Sequence, residues 1–203
     1  MSEPLVSIIT PTYNQSRMDL FYRMFRTVQT QTYRNWEHIV CSDGPEESNV
    51  KTIIAQLGDV RRTYCATGQH FGGYGAAVRQ FVMDWHAKGK YYVFLDDDNI
   101  LMPDYLEKMV GALESSTQGE KFAICKILHF GPLRQDVGVA PMYLRGEPKL
   151  CFIDTLQIII EAEAMKQVGW VNKEHYCADG YTYEELGRRF KYARIDECLA
   201  IHM

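Results

Sequence analysis

The chain has 203 residues, 46% of them hydrophobic and 24% charged, with a formal net charge of -4; this length suits one sizeable core rather than two full domains. The acidic balance argues against a nucleic-acid binder, which would show a basic excess, yet leaves room for an anionic ligand in a locally positive site. No apolar stretch approaches the roughly 20 residues of a transmembrane segment. Met1-Ser2-Glu3-Pro4 lacks the basic region of a secretory leader, and the six scattered cysteines, with no Cys-x-x-Cys pair, read as reduced thiols of a cytoplasmic protein.

In chain order, Val6 to Thr10 reads as a short buried strand stopped by Pro11. Leu20, Met24 and Val28, flanked by Phe21 and Phe25, then mark one face of a helix. Trp36 to Cys41 predicts a second strand ending at Ser42-Asp43-Gly44-Pro45. Val50, Ile53, Ile54 and Leu57 give a second helical stripe closed by Gly58. Arg62 to Ala66 fits a third strand. Gly72 to Gly75 forms a loop that opens a helix carrying Ala76, Ala77, Phe81 and Trp85 and stopping at Gly89. Tyr91 to Leu95 is the clearest strand and runs into three aspartates. Pro103 suits the first turn of a helix with the stripe Leu106, Met109, Val110 and Leu113.

Further on, Phe122 to Leu128 predicts a strand, Asp179 to Phe190 a helix and Ala193 to Ile195 a short strand. Between them, residues 131–148 form a long Gly-, Pro- and Arg-rich stretch of the kind that serves as a functional lid or is a disordered segment. Strands alternating with helices of this length imply an α/β fold: a single domain with a mainly parallel central sheet and helices on both faces. Ligands of such sheets bind beyond the carboxyl ends of the strands. Thr10-Pro11-Thr12, Ser42-Asp43 and Asp96 to Asn99 all fall there.

Asp96-Asp97-Asp98 is the sharpest chemical feature. Three acids at the end of a buried strand repel one another, so a cation is expected among them. In an extended segment Asp96 and Asp98 share a side while Asp97 points elsewhere. Carboxylates suit hard cations such as Mg2+ or Mn2+, which also bridge phosphate oxygens. The bland alternative is a turn rich in helix-capping acids. From Gly73 the glycine loop reads Gly-x-Gly-x-x-Val, close to a dinucleotide fingerprint. It follows the third strand, however, and the acid beyond it is a triplet. Either the loop lets backbone approach a ligand, with Arg79 near an anion, or it is a tight turn that packs a helix.

Taken together, these segments resemble family-2 glycosyltransferases with the GT-A fold. Val6 to Asn14 resembles their opening strand, Ser42-Asp43-Gly44 their second-strand nucleotide motif, Gly72 to Arg79 their glycine-rich segment and Phe94 to Asn99 their Asp-x-Asp metal motif. The resemblance implies a nucleotide-sugar donor, a UDP-sugar foremost, a divalent metal (Mn2+ or Mg2+), and a carbohydrate or other hydroxyl acceptor. It implies Pro11, Tyr13 and Asp43 at the base and ribose, Asp96 at the ribose and metal-bound phosphates, and Asp98 on the metal. Asp179 matches the catalytic base of inverting members, with an N-cap as its alternative. Ala178 replaces the acid that usually precedes that base, which raises Glu184 and Glu185 as substitutes. His202 matches a C-terminal histidine that some members place on the metal or the diphosphate, a solvated terminal histidine being its alternative. Residues of about 1–110 would bind donor and metal, and about 111–203 the acceptor and base. Arg188 and Arg189 read either as phosphate ligands or as a solvated face. The rivals are a nucleotidyltransferase, for which Asn14 to Arg17 supplies only one basic residue, and a non-catalytic binder of nucleotide sugars.

Overall fold

β1 (Val6–Thr12) is buried along nearly its whole length because both its edges are paired and both its faces are covered. It lies parallel to β2 (Trp36–Ser42) on one side and to β4 (Tyr91–Phe94) on the other. β3 (Arg62–Ala66) adds parallel to β2. The structure, a computed structural model, describes residues 3–13, 18–130 and 142–203. The remaining described strands are β5 (Ile100–Leu101), β6 (Phe122–His129), β7 (Met142–Leu144), β8 (Ile158–Glu161) and β9 (Tyr192–His202). They complete a sheet of order β3-β2-β1-β4-β8-β6-β9-β5, with β7 paired to β6. β8 is antiparallel to both β4 and β6, whereas β9 runs parallel to β6.

Side-chain alternation along the strands builds two apolar layers. Val6, Ile8, Val40 and Val93 face α1 (Met18–Gln29), α2 (Ser48–Leu57) and α4 (Tyr105–Glu114). Ile9, Ile39, Tyr92 and Phe94 face α3 (Ala76–Trp85), α5 (Ala162–Val168) and α6 (Ala178–Arg189). Each fully buried side chain of this size stabilises the fold by about 1.5–3 kcal/mol. The expected stripes of α1, α2 and α4 are the buried ones, and Gly58 closes α2 in a left-handed conformation.

Several expectations shift. The strand continues through Pro11. The carbonyl of Ile9 accepts from Leu95 at 3.0 Å, so Pro11, two residues on, turns the same edge toward a side where β4 has already ended. Its missing N–H therefore breaks no ladder. α3 ends at Trp85, four residues before Gly89, and turns Val78, Arg79, Val82 and Met83 inward; Trp85 lies in solvent. Pro103 precedes α4 instead of entering it. The strand expected at Ala193 to Ile195 extends to His202, since β6 and β5 pair along its length. Residues 131–141 of the expected lid, and Asn14 to Arg17, lie outside the described residues. All six cysteines are free, as their spacing implied. Among the described residues no helix is long and apolar enough to cross a membrane.

Candidate functional site

Because β1, β2 and β4 are parallel, their carboxyl ends bring residues 11–13, Asp43 and Asp96 to Asp98 to one edge of the sheet. Asp43 is buried, and its carboxylate accepts from the backbone N–H groups of Phe71 (2.6 Å) and Gly72 (2.9 Å). The ring of His70 stands 3.0 Å from Oδ2 of that carboxylate and stacks on exposed Tyr13 at 4.4 Å between centroids. Asp43 thus ties the glycine loop to the end of β2, and Tyr13 forms an aromatic wall beside it.

The loop itself has little steric freedom. Gly72, Gly73 and Gly75 all have positive φ, and Tyr74 between them is held at φ 53°. A Cβ at Gly73 would lie 2.2 Å from the carbonyl oxygen of Lys173, and one at Gly75 would lie 2.8 Å from Pro11. The tight-turn reading of the loop is therefore correct for its backbone. Gly73→Ala should lower stability by at least about 1 kcal/mol, since both its φ and its neighbour oppose a side chain. A urea-denaturation midpoint equal to wild type would refute this packing.

Arg79 enters the same space from α3. Nearly all of it is buried; Nη1 donates to the Tyr74 carbonyl at 3.2 Å, Nη2 donates to the Asp96 carboxylate, and the guanidinium lies 5.2 Å from the Trp170 ring centroid. The anion near Arg79 is thus Asp96. The acidic run is a turn, closed by Asn99 N–H on the Asp96 carbonyl at 3.3 Å, so the extended alternation assumed for it does not hold. The three acids nonetheless have different surroundings. Asp96 meets Arg79. Asp97 is pushed up to about 6 by burial, drawn partly back by Thr12 and raised further by its two acidic neighbours. Asp98 acts with Asp96 on His202.

Asp179 is the second residue of α6, whose N-cap is Cys177, so it is not the cap. Its Oδ1 accepts from Gly180 N–H at 2.8 Å and its Oδ2 from the Thr155 hydroxyl at 3.3 Å. Burial first, then the charge of Asp154, lifts its carboxyl to about 6 against the opposing pull of Arg79. Ala178 is buried in the layer under α6, where an acid would have to displace core packing. Glu184 and Glu185 are engaged by Arg188 and Arg189 one turn on, at 3.0 and 2.7 Å, so the arginine pair belongs to a solvated helix face.

His202 ends β9, opposite His129 at the end of β6. The two rings stack at 4.3 Å with 9° between planes, and His202 Nδ1 is 2.9 Å from Asp154 Oδ2. Burial disfavours charge on His202, but the adjacent Asp154, with Asp96 and Asp98 beyond, outweighs it and shifts the imidazole upward. A chain of charge interactions thus links these groups: Arg79 acts on Asp96 and Asp179, Asp154 on Asp179 and His202, and Asp96 and Asp98 on His202. Sequence reading missed Asp154, His129, His70 and Trp170. They sit in no motif, and only strand pairing and loop packing bring them here.

The model of the Glycosyl transferase family 2 matches residues 7–133. The chain is 27% identical over 182 residues to the Escherichia coli UDP-Glc:alpha-D-GlcNAc-diphosphoundecaprenol beta-1,3-glucosyltransferase WfgD, covering 87% of this chain and 68% of that one. It spans about a third (36%) of the length of several other curated relatives it matches. Its fold is that of S. aureus TarS (residues 1–349, solved with UDP-GlcNAc; TM-score 0.75, 13% identity, 97% of this chain and 57% of that one). It is also that of the mannosyltransferase PcManGT from Pyrobaculum calidifontis, solved with GDP-Man and Mn2+ (TM-score 0.72, 17% identity, 99% and 57%). With its α/β sheet, its acidic turn at the end of β4 and a family match over more than half its length, the chain belongs to glycosyltransferase family 2, on a GT-A fold.

Proposed function

We propose that this chain moves a sugar from a nucleotide-diphosphate sugar, a UDP-sugar foremost, to an acceptor hydroxyl with inversion, aided by a divalent ion, Mn2+ or Mg2+. The observation that carries the reading is the buried carboxylate Asp179, which feels the same guanidinium, Arg79, that pairs with Asp96 of the acidic turn. The donor set suits such an ion: carboxylate oxygens from Asp98 and Asp96 and an imidazole nitrogen from His202. Asp96 shares its carboxylate with Arg79. When bound, the ion offsets charge on the leaving diphosphate.

This chain's own residues do the rest. Pro11, Tyr13 and Asp43 line the base and ribose. Arg79 holds Asp96 toward the ribose and phosphates. Asp179 takes the proton from the acceptor hydroxyl as that oxygen attacks the anomeric carbon opposite the leaving group. Residues of about 1–110 serve the donor and metal, and about 111–203 the acceptor and base. The complexes of TarS with UDP-GlcNAc and of PcManGT with GDP-Man and Mn2+ support this assignment by likeness of fold.

A base must be ionised to accept a proton. With Asp179 lifted to about 6, turnover should be full above that pH and fall about tenfold per pH unit well below it. The pH profile of kcat checks this, and a flat profile down to pH 4.5 refutes it. The overall reading is tested by a thermal-shift screen of nucleotide diphosphates and their sugars with and without Mn2+, followed by detection of UDP release with acceptor sugars. Binding without any turnover would mark a non-catalytic binder of the same fold.

A further inference from the structure

Asp154 stands outside every motif of the chain, yet it is a well-anchored carboxylate close to the acidic turn. It caps the short 3-10 turn Thr155–Gln157: Asp154 Oδ1 accepts from Leu156 N–H at 2.9 Å, while the Asp154 backbone N–H donates to Gln157 Oε1 at 3.0 Å. One oxygen is therefore committed to the backbone. The other, Oδ2, lies 2.9 Å from His202 Nδ1. His129 covers one face of the His202 ring, nearly parallel to it at 4.3 Å between centroids, and is itself buried. The neighbouring strand backbone fixes this placement, since His129 and His202 are register partners and the His202 carbonyl accepts from Phe130 N–H at 2.9 Å.

An imidazole has two nitrogens, and the partner of one decides what the other can do. A carboxylate on Nδ1 holds the proton there, leaves the Nε2 lone pair free for an ion, and makes that nitrogen a stronger donor. Ile201 pairs with Ile100, and Met203 N–H donates to Asn99 Oδ1 at 3.1 Å, so the end of β9 lies beside the acidic turn, whose Asp96 and Asp98 act on His202.

We infer that Asp154 is a positioning residue: it fixes the tautomer and ring orientation of His202, with His129 as the wall that holds the ring plane, so that His202 presents Nε2 to the divalent ion of the acidic turn. This rests on the proposed metal role of His202 and adds to it a carboxylate–histidine–metal relay. His129, Asp154 and His202 offer ligand atoms within 4.8 Å of one another, so direct binding of one ion by all three is the competing arrangement. The engagement of both Asp154 oxygens, one by a backbone N–H and one by His202, favours the relay.

The test is Mn2+ affinity, read by electron paramagnetic resonance of free Mn2+ in the presence of UDP, for the wild type and five variants. Asp154→Asn should weaken Mn2+ binding roughly 10- to 100-fold, the range for loss of such an outer partner. UDP binding in EDTA and the thermal midpoint of the metal-free protein should stay near wild type, which a merely structural role would not allow. In a His202→Ala background, Asp154→Asn should add nothing. His129→Phe keeps a flat ring without nitrogen donors and should bind Mn2+ nearly as wild type does.

Wild-type Mn2+ affinity in Asp154→Asn overturns the inference. So does a further loss on top of His202→Ala, which would make Asp154 a ligand in its own right. A loss in His129→Phe as large as in His202→Ala would instead establish the three-residue metal site. If His202→Ala binds Mn2+ normally while Asp98→Ala does not, the relay fails and the metal-assisted transfer stands. If neither change matters, both fail.

Discussion

Asp179→Asn should slow sugar transfer roughly 100-fold or more and leave UDP binding near the wild-type value, because the proton of the acceptor hydroxyl then has no base to receive it. Asparagine keeps the size of the side chain. Its carbonyl oxygen can still accept from Gly180 N–H, the 2.8 Å contact that anchors Asp179 at the start of α6. Helix and fold should therefore survive, and the loss should appear in kcat with little change in the donor's KM. The matched control is Glu184→Gln. Glu184 is already engaged by Arg188 at 3.0 Å on the outer face of α6, so its loss should leave turnover close to normal. Normal turnover in Asp179→Asn would reduce that residue to a structural part of the helix start. If Glu184→Gln were silent instead, the base would lie one turn further along the helix.

Asp98→Ala should abolish the metal-dependent part of UDP binding. An ion bridging carboxylate and diphosphate contributes several kcal/mol, so the affinity gained on adding Mn2+, roughly 100-fold or more, should vanish. Calorimetric titration of UDP with Mn2+ and then with EDTA measures the difference directly. Equal affinities in the wild type under both conditions would rule out a metal bridge altogether. Asp97→Ala should have the smaller effect on the metal term, since that carboxyl is turned into buried surroundings beside Thr12, where burial raises it to about 6. A greater loss in Asp97→Ala than in Asp98→Ala would refute this division of the acidic turn. Asp43→Ala should weaken UDP with and without metal, because it releases the Phe71 and Gly72 N–H groups that hold the loop beside Tyr13 and Pro11.

The elements that were legible in the chain are those governed by short-range physics. The stripes of α1, α2 and α4 declare themselves because burial repeats at the helical period. Gly58 ends α2 because it can adopt positive φ. The carboxyl-end clusters at Pro11, Asp43 and Asp96 follow from parallel strands alternating with helices, which is a property of element order alone. The repulsion within Asp96-Asp97-Asp98 also needs no tertiary structure to be foreseen. Even there, the local geometry is a turn closed on Asn99, and side-chain direction along it could not be read from an extended period.

Only the tertiary structure decided what each acid faces. Arg79 reads as a residue near an anion, and α3 turns it inward onto Asp96 while Trp85, an apolar residue of the expected helix, is left in solvent. The full length of β9 and the antiparallel β8 were not legible because pairing partners far along the chain stabilise them more than their own sequences do. That pairing places His202 on His129, and loop packing then sets it against Asp154. Sequence by itself determined the α/β architecture, the acidic strand end and Asp179 as the acid at the start of α6. The partners of Asp96, Asp179 and His202 were settled by strand register and loop packing, because contacts between residues distant in sequence depend on long-range pairing that local periodicity does not encode.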